Sequence, residues 1–174
     1  MVRVIESSLE RLGVVLAWLM LGLAVLASSV LVLRYGFGVG STALQDTVLY
    51  LNALLVLLGI SVTLTANAHV RVDVWSSRWQ DKTRALVDFV GVLVLLLPMI
   101  VAIGWFGWDY VARSWAMHEG SGDAGGLAGV YWIKSLMLLG DALLLLAAIA
   151  FGYRAFLAWR GQDIKMPVEQ QHEL

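Results

Sequence analysis

The sequence contains no cysteine, only two prolines and few charged residues. Without cysteine, disulfides, thiolate metal sites and a cysteine nucleophile are excluded. Charged side chains make up 14% of the 174 residues, against about 25% in an ordinary soluble domain. The formal net charge of −1 gives no indication of a nucleic-acid partner. The composition is instead dominated by hydrophobic residues, at 60%.

The hydrophobic residues are concentrated in four runs, at 12–33, 44–66, 89–110 and 131–153. Each run reaches the roughly 20 residues that cross the hydrocarbon of a bilayer. Each must be helical, because a lone strand leaves its backbone groups unsatisfied in lipid. The first run is too long for a signal-peptide core and lacks a small-x-small cleavage site. We predict an all-α integral membrane protein with four transmembrane helices in one domain, residues 1–160, and a flexible tail, residues 161–174.

The distribution of basic residues predicts an orientation. Nine of the twelve Lys and Arg residues lie in the N-terminal segment, the middle loop and the C-terminal segment. Only Arg34, Arg113 and Lys134 lie on the other side. The positive-inside rule therefore predicts that both termini and the middle loop are cytoplasmic.

The middle loop has the pattern of an amphipathic helix. On a helical wheel, Val72, Trp75, Trp79 and Leu86 fall on one narrow face, flanked by basic residues. Rings at the acyl boundary and cations near lipid phosphates are typical of a helix lying in the membrane surface. We predict such an interfacial helix at about residues 70–86. The alternative is that these residues are frayed ends of helices two and three.

Asp141 lies near the middle of the fourth run. A carboxylate at that depth costs at least about 2.5–3.5 kcal/mol on insertion scales, so it must face protein, water or a partner. It is either a proton or cation site, or it is protonated or hydrogen-bonded across a helix interface, with Asn52 as a candidate partner. The second interpretation is favoured because no second carboxylate at similar depth completes a relay.

Arg34 ends the first run and Asp46 opens the second, so both lie toward the outer face. They either pair across the loop or extend separately into the headgroups. The three histidines lie outside the hydrophobic runs, which argues against haem. Serine-nucleophile motifs, phosphate-binding glycine loops and paired catalytic carboxylates are missing from the sequence. We predict a non-catalytic chain with no cofactor and no metal site.

Several short motifs occur along the chain in a characteristic order. They are Arg34-Tyr35, Gln45-Asp46, Leu58-Gly59, His69-Val70-Arg71-Val72-Asp73, Ser114-Trp115, Glu119-Gly120-Ser121, Gly125-Gly126-Leu127 and Ile133-Lys134. With the four spans, they resemble the small permease (DctQ-like) subunit of tripartite ATP-independent periplasmic (TRAP) transporters over residues 5–160. The third-loop motifs are similar to the mannitol/chloroaromatic or α-keto acid branch. Many family members have Glu where this chain has Asp46.

The resemblance implies a division of labour. A periplasmic binding protein captures an organic acid, and a large multi-span permease carries it inward, driven by a sodium gradient. The small subunit is expected to be a non-catalytic scaffold that widens the permease and anchors it among the lipids of the bacterial inner membrane. The residues expected to serve as structural or partner contacts are Arg34, Asp46, His69, Arg71, Asp73, Glu119, Asp123 and Asp141, with Trp75 and Trp79 as membrane anchors.

These residues have different expected roles. His69, Arg71 and Asp73 would fix the turn into the surface helix. Glu119 and Asp123 would either help to meet the binding protein or belong to a solvated loop. Two other classes remain open: an independent small four-helix transporter and a membrane electron-transfer subunit. Small multidrug exporters depend on an acidic residue in the first span, which residues 12–33 lack, and an electron-transfer subunit would hold a pigment or metal.

Overall fold

Four helices long and apolar enough to cross a membrane form the fold of residues 2–65 and 79–161, the part that the computed structural model describes. They are α1 (Val2–Gly36), α2 (Thr42–Thr65), α3 (Asp81–Ala116) and α4 (Val130–Trp159). The predicted all-α membrane fold with four spans is confirmed. Successive helices alternate in direction, so the connections 37–41 and 117–129 lie at one end, called here the loop face. The opposite end is called the terminal face.

Three of the helices extend beyond their predicted spans. The third begins at Asp81 instead of residue 89 and ends at Ala116 instead of residue 110. Hydropathy marks the part of a helix that fits the hydrocarbon, and a helix continues into the polar region as long as its backbone bonds and side-chain packing persist. The bounds of α1 and α4 differ from the predicted spans in the same way.

The beginning of α3 includes part of the predicted interfacial helix. Residues 81–86 belong to the α-helical stretch Asp81–Gly91, which runs on into the membrane-spanning part of α3. Ala85 is buried there, and the ring of Phe89 lies 5.4 Å from that of Phe156 on α4. These residues therefore pack on the bundle as the start of α3. Residues 70–78 of the predicted helix lie outside the described residues.

The third helix contains a wide turn just before its proline. Val92–Leu96 is π-helical, and the N–H of Leu97 bonds to the carbonyl of Val92, five residues back. Pro98 then occupies the first turn of the α-helical stretch Leu97–Ala116. Proline has no N–H and its ring clashes with the carbonyl four residues earlier, so a local widening of the helix accommodates it.

Helix α4 lies at the centre of the bundle and contacts the other three helices. Its buried positions carry mainly small residues: Gly140, Leu144, Ala147, Ala148, Ala150, Gly152 and Ala155. Small residues let helix backbones approach closely in a membrane. At Gly140 the approach is so close that a Cβ would lie 2.6 Å from the carbonyl oxygen of Leu57 on α2. By contrast, α1 buries only Leu9 and Leu16 among its described hydrophobic side chains.

Candidate functional site

Asp46 joins the 117–129 connection to α2. It lies one turn into α2, its side chain is 9% exposed, and its Oδ2 accepts a hydrogen bond from the backbone N–H of Leu127 at 2.9 Å. Gly126 makes this contact possible, because a Cβ there would lie 2.5 Å from the same oxygen and would also collide with Ser121 Oγ. The buried carboxylate thus holds the connection against the start of α2.

Arg34 does not share this contact. It lies near the end of α1, where its side chain is exposed. Within the described part of the chain it has no hydrogen bond or ion pair, whereas Asp46 bonds to Leu127. The structure therefore has neither predicted arrangement, because Arg34 and Asp46 do not pair and Asp46 is buried against the connection instead of extending into the headgroups.

Glu119 ties the end of α3 to the start of α4. After α3, His118 adopts a left-handed conformation with φ 46°, and the N–H of Glu119 bonds back to the carbonyl of Ser114 at 3.1 Å. This turn brings the Glu119 carboxylate beside the buried Ser114 hydroxyl, which donates to Oε2 at 2.6 Å. Lys134 Nζ donates to the same oxygen at 2.5 Å and lies 4.1 Å from the centre of the Tyr110 ring.

The hydrogen bonds from Lys134 and then from Ser114 lower the pKa of the Glu119 carboxyl. A carboxylate with two donors on one oxygen is favoured in its ionised form, and the nearby cation acts in the same direction. Glu119 therefore stays charged at the loop face and links two helices through one side chain.

An aromatic cluster lies beside this ion pair. The ring of Trp115 is 4.6 Å from that of Tyr131 and 4.8 Å from that of Trp132, both in edge-on geometry. Its indole Nε1 donates to Ser135 Oγ at 2.8 Å. Sequence reasoning did not find this cluster, or Lys134 as the partner of Glu119. The sequence feature that could have indicated both is the presence of aromatic and basic residues on each side of the 117–129 connection.

Asp123 lies at the turn of the connection and is exposed. Its carbonyl accepts a hydrogen bond from Gly126 N–H at 3.0 Å. No described residue bonds to the side-chain carboxylate of Asp123. Asp123 and Glu119 were predicted together, but the structure distinguishes them, since Glu119 bonds to Ser114 and Lys134 whereas the Asp123 carboxylate bonds to no described residue.

Asp141 packs against Gly104 of α3, where a Cβ would lie 3.0 Å from Asp141 Oδ2. Its Oδ1 is buried and has no hydrogen-bond partner among the described residues. Asn52 is exposed on α2 and does not bond to it. The predicted hydrogen bond between Asn52 and Asp141 is therefore absent, because Asp141 points toward α3 rather than toward that face of α2.

The remaining predicted residues come between α2 and α3 in the sequence. His69, Arg71, Asp73 and Trp75 lie outside the described residues. Trp79 precedes α3 and is exposed. Within residues 2–65 and 79–161, no group of three or more metal-ligating His, Asp or Glu side chains comes together. The side-chain contacts of Asp46 and Glu119 join helices to one another and to the 117–129 connection.

The chain matches one family model. The model is that of the DctQ component of tripartite ATP-independent periplasmic transporters, and it matches residues 23–160. This range includes the loop-face contacts of Asp46 and Glu119 and also Asp141. No curated protein sequence matches the chain.

Proposed function

Since the chain belongs to the DctQ family of tripartite ATP-independent periplasmic transporters, we propose that it scaffolds and anchors the large permease of a sodium-driven importer of organic acids. The family is a transporter-component family and not an enzyme family. The observation that carries the proposal is the match over residues 23–160, which includes the last part of α1 and all of α2, α3 and α4. A component of a tripartite system implies protein partners, here the large permease and a periplasmic substrate-binding protein.

The distribution of polar groups supports a scaffold rather than a transport pathway. In the described helices, the hydroxyls of Ser28, Ser29, Thr47 and Ser61 bond to backbone carbonyls of their own helix. Polar residues that mark a substrate path face a water-filled cavity or pair with one another. Asp141 has neither arrangement, because it packs on Gly104 with Oδ1 unpartnered among the described residues.

The loop face is the part of the chain that we assign to the binding protein. The excess of basic residues at the other end argues that the loop face is periplasmic and that both termini are cytoplasmic in a bacterial inner membrane. Asp123 is exposed and its carboxylate bonds to none of residues 2–65 and 79–161, whereas Glu119 is held by Ser114 and Lys134. Asp123 is therefore the better candidate for a contact, and Glu119 keeps the connection in shape.

Co-purification tests the proposal. Tagged chain is extracted from membranes of its native host in mild detergent, and the proteins that remain bound are identified by mass spectrometry. We expect a much larger multi-span permease in a one-to-one complex. An unrelated tagged four-span protein is the control for nonspecific capture. Recovery of the chain alone, or only with copies of itself, would contradict the scaffold function and make transport by the chain itself the next question.

A further inference from the structure

One face of α2 carries a polar residue at membrane depth and is exposed in the part of the chain that the structure describes. This face, called here the Asn52 face, consists of the exposed residues Leu49, Asn52, Val56, Ile60 and Thr63. Their spacing of three and four residues aligns them along one side of the helix.

Gly59 lies beside the Asn52 face, and because it has no side chain there is open space over the helix backbone at this position. A Cβ placed at Gly59 would meet nothing within 4 Å. The Thr63 hydroxyl does not need an outside partner, because it bonds to the carbonyls of Gly59 and Ile60 at 2.8 and 3.0 Å. The carboxamide of Asn52, in contrast, has no hydrogen-bond partner among residues 2–65 and 79–161.

Asn52 is too deep for its short side chain to reach water. It lies about 15 Å from the start of α2 at Thr42 and about 20 Å from its end at Thr65, at 1.5 Å per residue. The hydrocarbon of a bilayer is about 30 Å thick and offers neither donors nor acceptors. A carboxamide with two donors and an acceptor at that depth therefore requires a polar group from another polypeptide.

The other exposed helix faces have no such requirement. The exposed side chains of α1 and α3 in the membrane include Val25 and Val101, which hydrocarbon solvates well. The polar residues of α1 at this depth are Ser28 and Ser29, and both hydroxyls bond to carbonyls of α1 at 2.8 Å. Lipid is thus a sufficient neighbour for these faces but not for the Asn52 face.

We propose that the Asn52 face is the docking site for one transmembrane helix of the large permease subunit. That helix presents a hydrogen-bonding group to Asn52 and packs a side chain into the open space over Gly59. Small and polar residues are what helix pairs in membranes use, since apolar area gains little there. The inference rests on the proposed function for the existence of the permease, and goes beyond it by assigning the contact to one face of one helix.

Three exposed valines provide a matched test. Val56 lies on the Asn52 face, Val25 on α1 and Val101 on α3, with side chains that are 54%, 68% and 64% exposed. Each is replaced singly by the photoreactive residue benzoylphenylalanine in the full chain, and native membranes are illuminated. We expect a crosslink to the large permease from position 56 and not from positions 25 or 101. Permease crosslinks from 25 or 101 without one from 56, a crosslink between two copies of the chain, or lipid adducts alone would each overturn the assignment.

Substitution of Asn52 provides the second measurement. Asn52→Leu should lower the amount of permease retained during purification about three- to twentyfold, the range expected for one interhelical hydrogen bond in a membrane. Asn52→Gln should retain most of it, and Val25→Leu, a conservative change on the exposed side of α1, is the control. The isolated chain should melt at the same temperature with or without Asn52→Leu, since the carboxamide has no partner in the described part of the chain.

The two measurements separate the inference from the proposed function. If unsubstituted chain co-purifies with the permease but Asn52→Leu retains as much as the unsubstituted chain, the docking site is wrong and the scaffold function stands. If no permease co-purifies with the unsubstituted chain, both are wrong.

Discussion

Removing the Asp46 carboxylate should detach the 117–129 connection from α2 and destabilise the bundle. In Asp46→Ala, the N–H of Leu127 loses the acceptor that now lies 2.9 Å away. A hydrogen bond to a charged group contributes about 1.5–3 kcal/mol, and a buried donor left without an acceptor is penalised by a similar amount. Because the connection is partly exposed, water replaces some of this loss. We therefore expect a decrease of about 1–2 kcal/mol in the free energy of unfolding.

Thermal unfolding in mild detergent measures this effect. The chain has eight tryptophans, and those at positions 115 and 132 lie next to the connection, so intrinsic fluorescence follows its release directly. For a protein of this size, each 1 kcal/mol lowers the Tm by about 2–4 °C. Asp46→Ala should therefore melt about 2–8 °C lower, with the change beginning in the fluorescence of the loop face.

Two glycines in the same connection give a matched pair for this reasoning. In Gly126→Ala, the new methyl group would lie 2.5 Å from Asp46 Oδ2, whereas a methyl group at Gly122 would meet nothing within 4 Å. Gly126→Ala should therefore destabilise the protein and Gly122→Ala should not. The effects of Asp46→Ala and Gly126→Ala should be less than additive, because both break the same contact. Equal melting of the two alanine variants, or of Asp46→Ala and the unsubstituted chain, would refute the role given to Asp46.

Three further variants test the other contacts. The pKa of Glu119 is lowered by Lys134 and then Ser114, so its stabilising contribution is complete above the ordinary value of 4.5 and is lost as the pH falls through the lowered pKa. Glu119→Gln should flatten this acid dependence of the Tm, and an unchanged profile would contradict it. Gly140→Ala should cost about 1–3 kcal/mol by overpacking α4 on α2, whereas Gly22→Ala, which meets nothing within 4 Å, should be neutral in the same melting assay. Asp141→Asn should keep the fold and melt at the same or a higher temperature, because Oδ1 is buried without a partner among the described residues; a clearly lower Tm would mean that the carboxylate is paired.

The membrane class and the number of spans could be predicted from the sequence because both depend on local composition. A run of about 20 hydrophobic residues forms a transmembrane helix, since lipid offers no hydrogen-bond partners for the backbone N–H and C=O groups. The family could also be predicted, from motifs such as Glu119-Gly120-Ser121 and Gly125-Gly126-Leu127. These motifs show their structural reason in the fold, where Glu119 accepts from Ser114 and Gly126 leaves room for Asp46.

The hydrogen-bond partners of the polar side chains could not be predicted from the sequence in the same way. Asp46 was expected either to pair with Arg34 or to stand alone, yet its partner is a backbone N–H 81 residues away. Asn52 was named as a candidate partner of Asp141, but the position of a residue along a helix does not specify the side of that helix that faces a neighbour. The helices also extend beyond the predicted spans, because hydropathy marks the part that fits the hydrocarbon, whereas Asp81–Gly91 is helical and packs on α4.

The sequence by itself thus determined that this chain crosses the membrane four times, through the hydrophobic free energy of consecutive residues. The tertiary structure alone decided which polar groups meet, that α4 is central and that Asn52 has no partner in the described chain. Those outcomes depend on how each helix is rotated about its axis, and the rotation is set by close packing between segments far apart in sequence, such as Gly140 against Leu57.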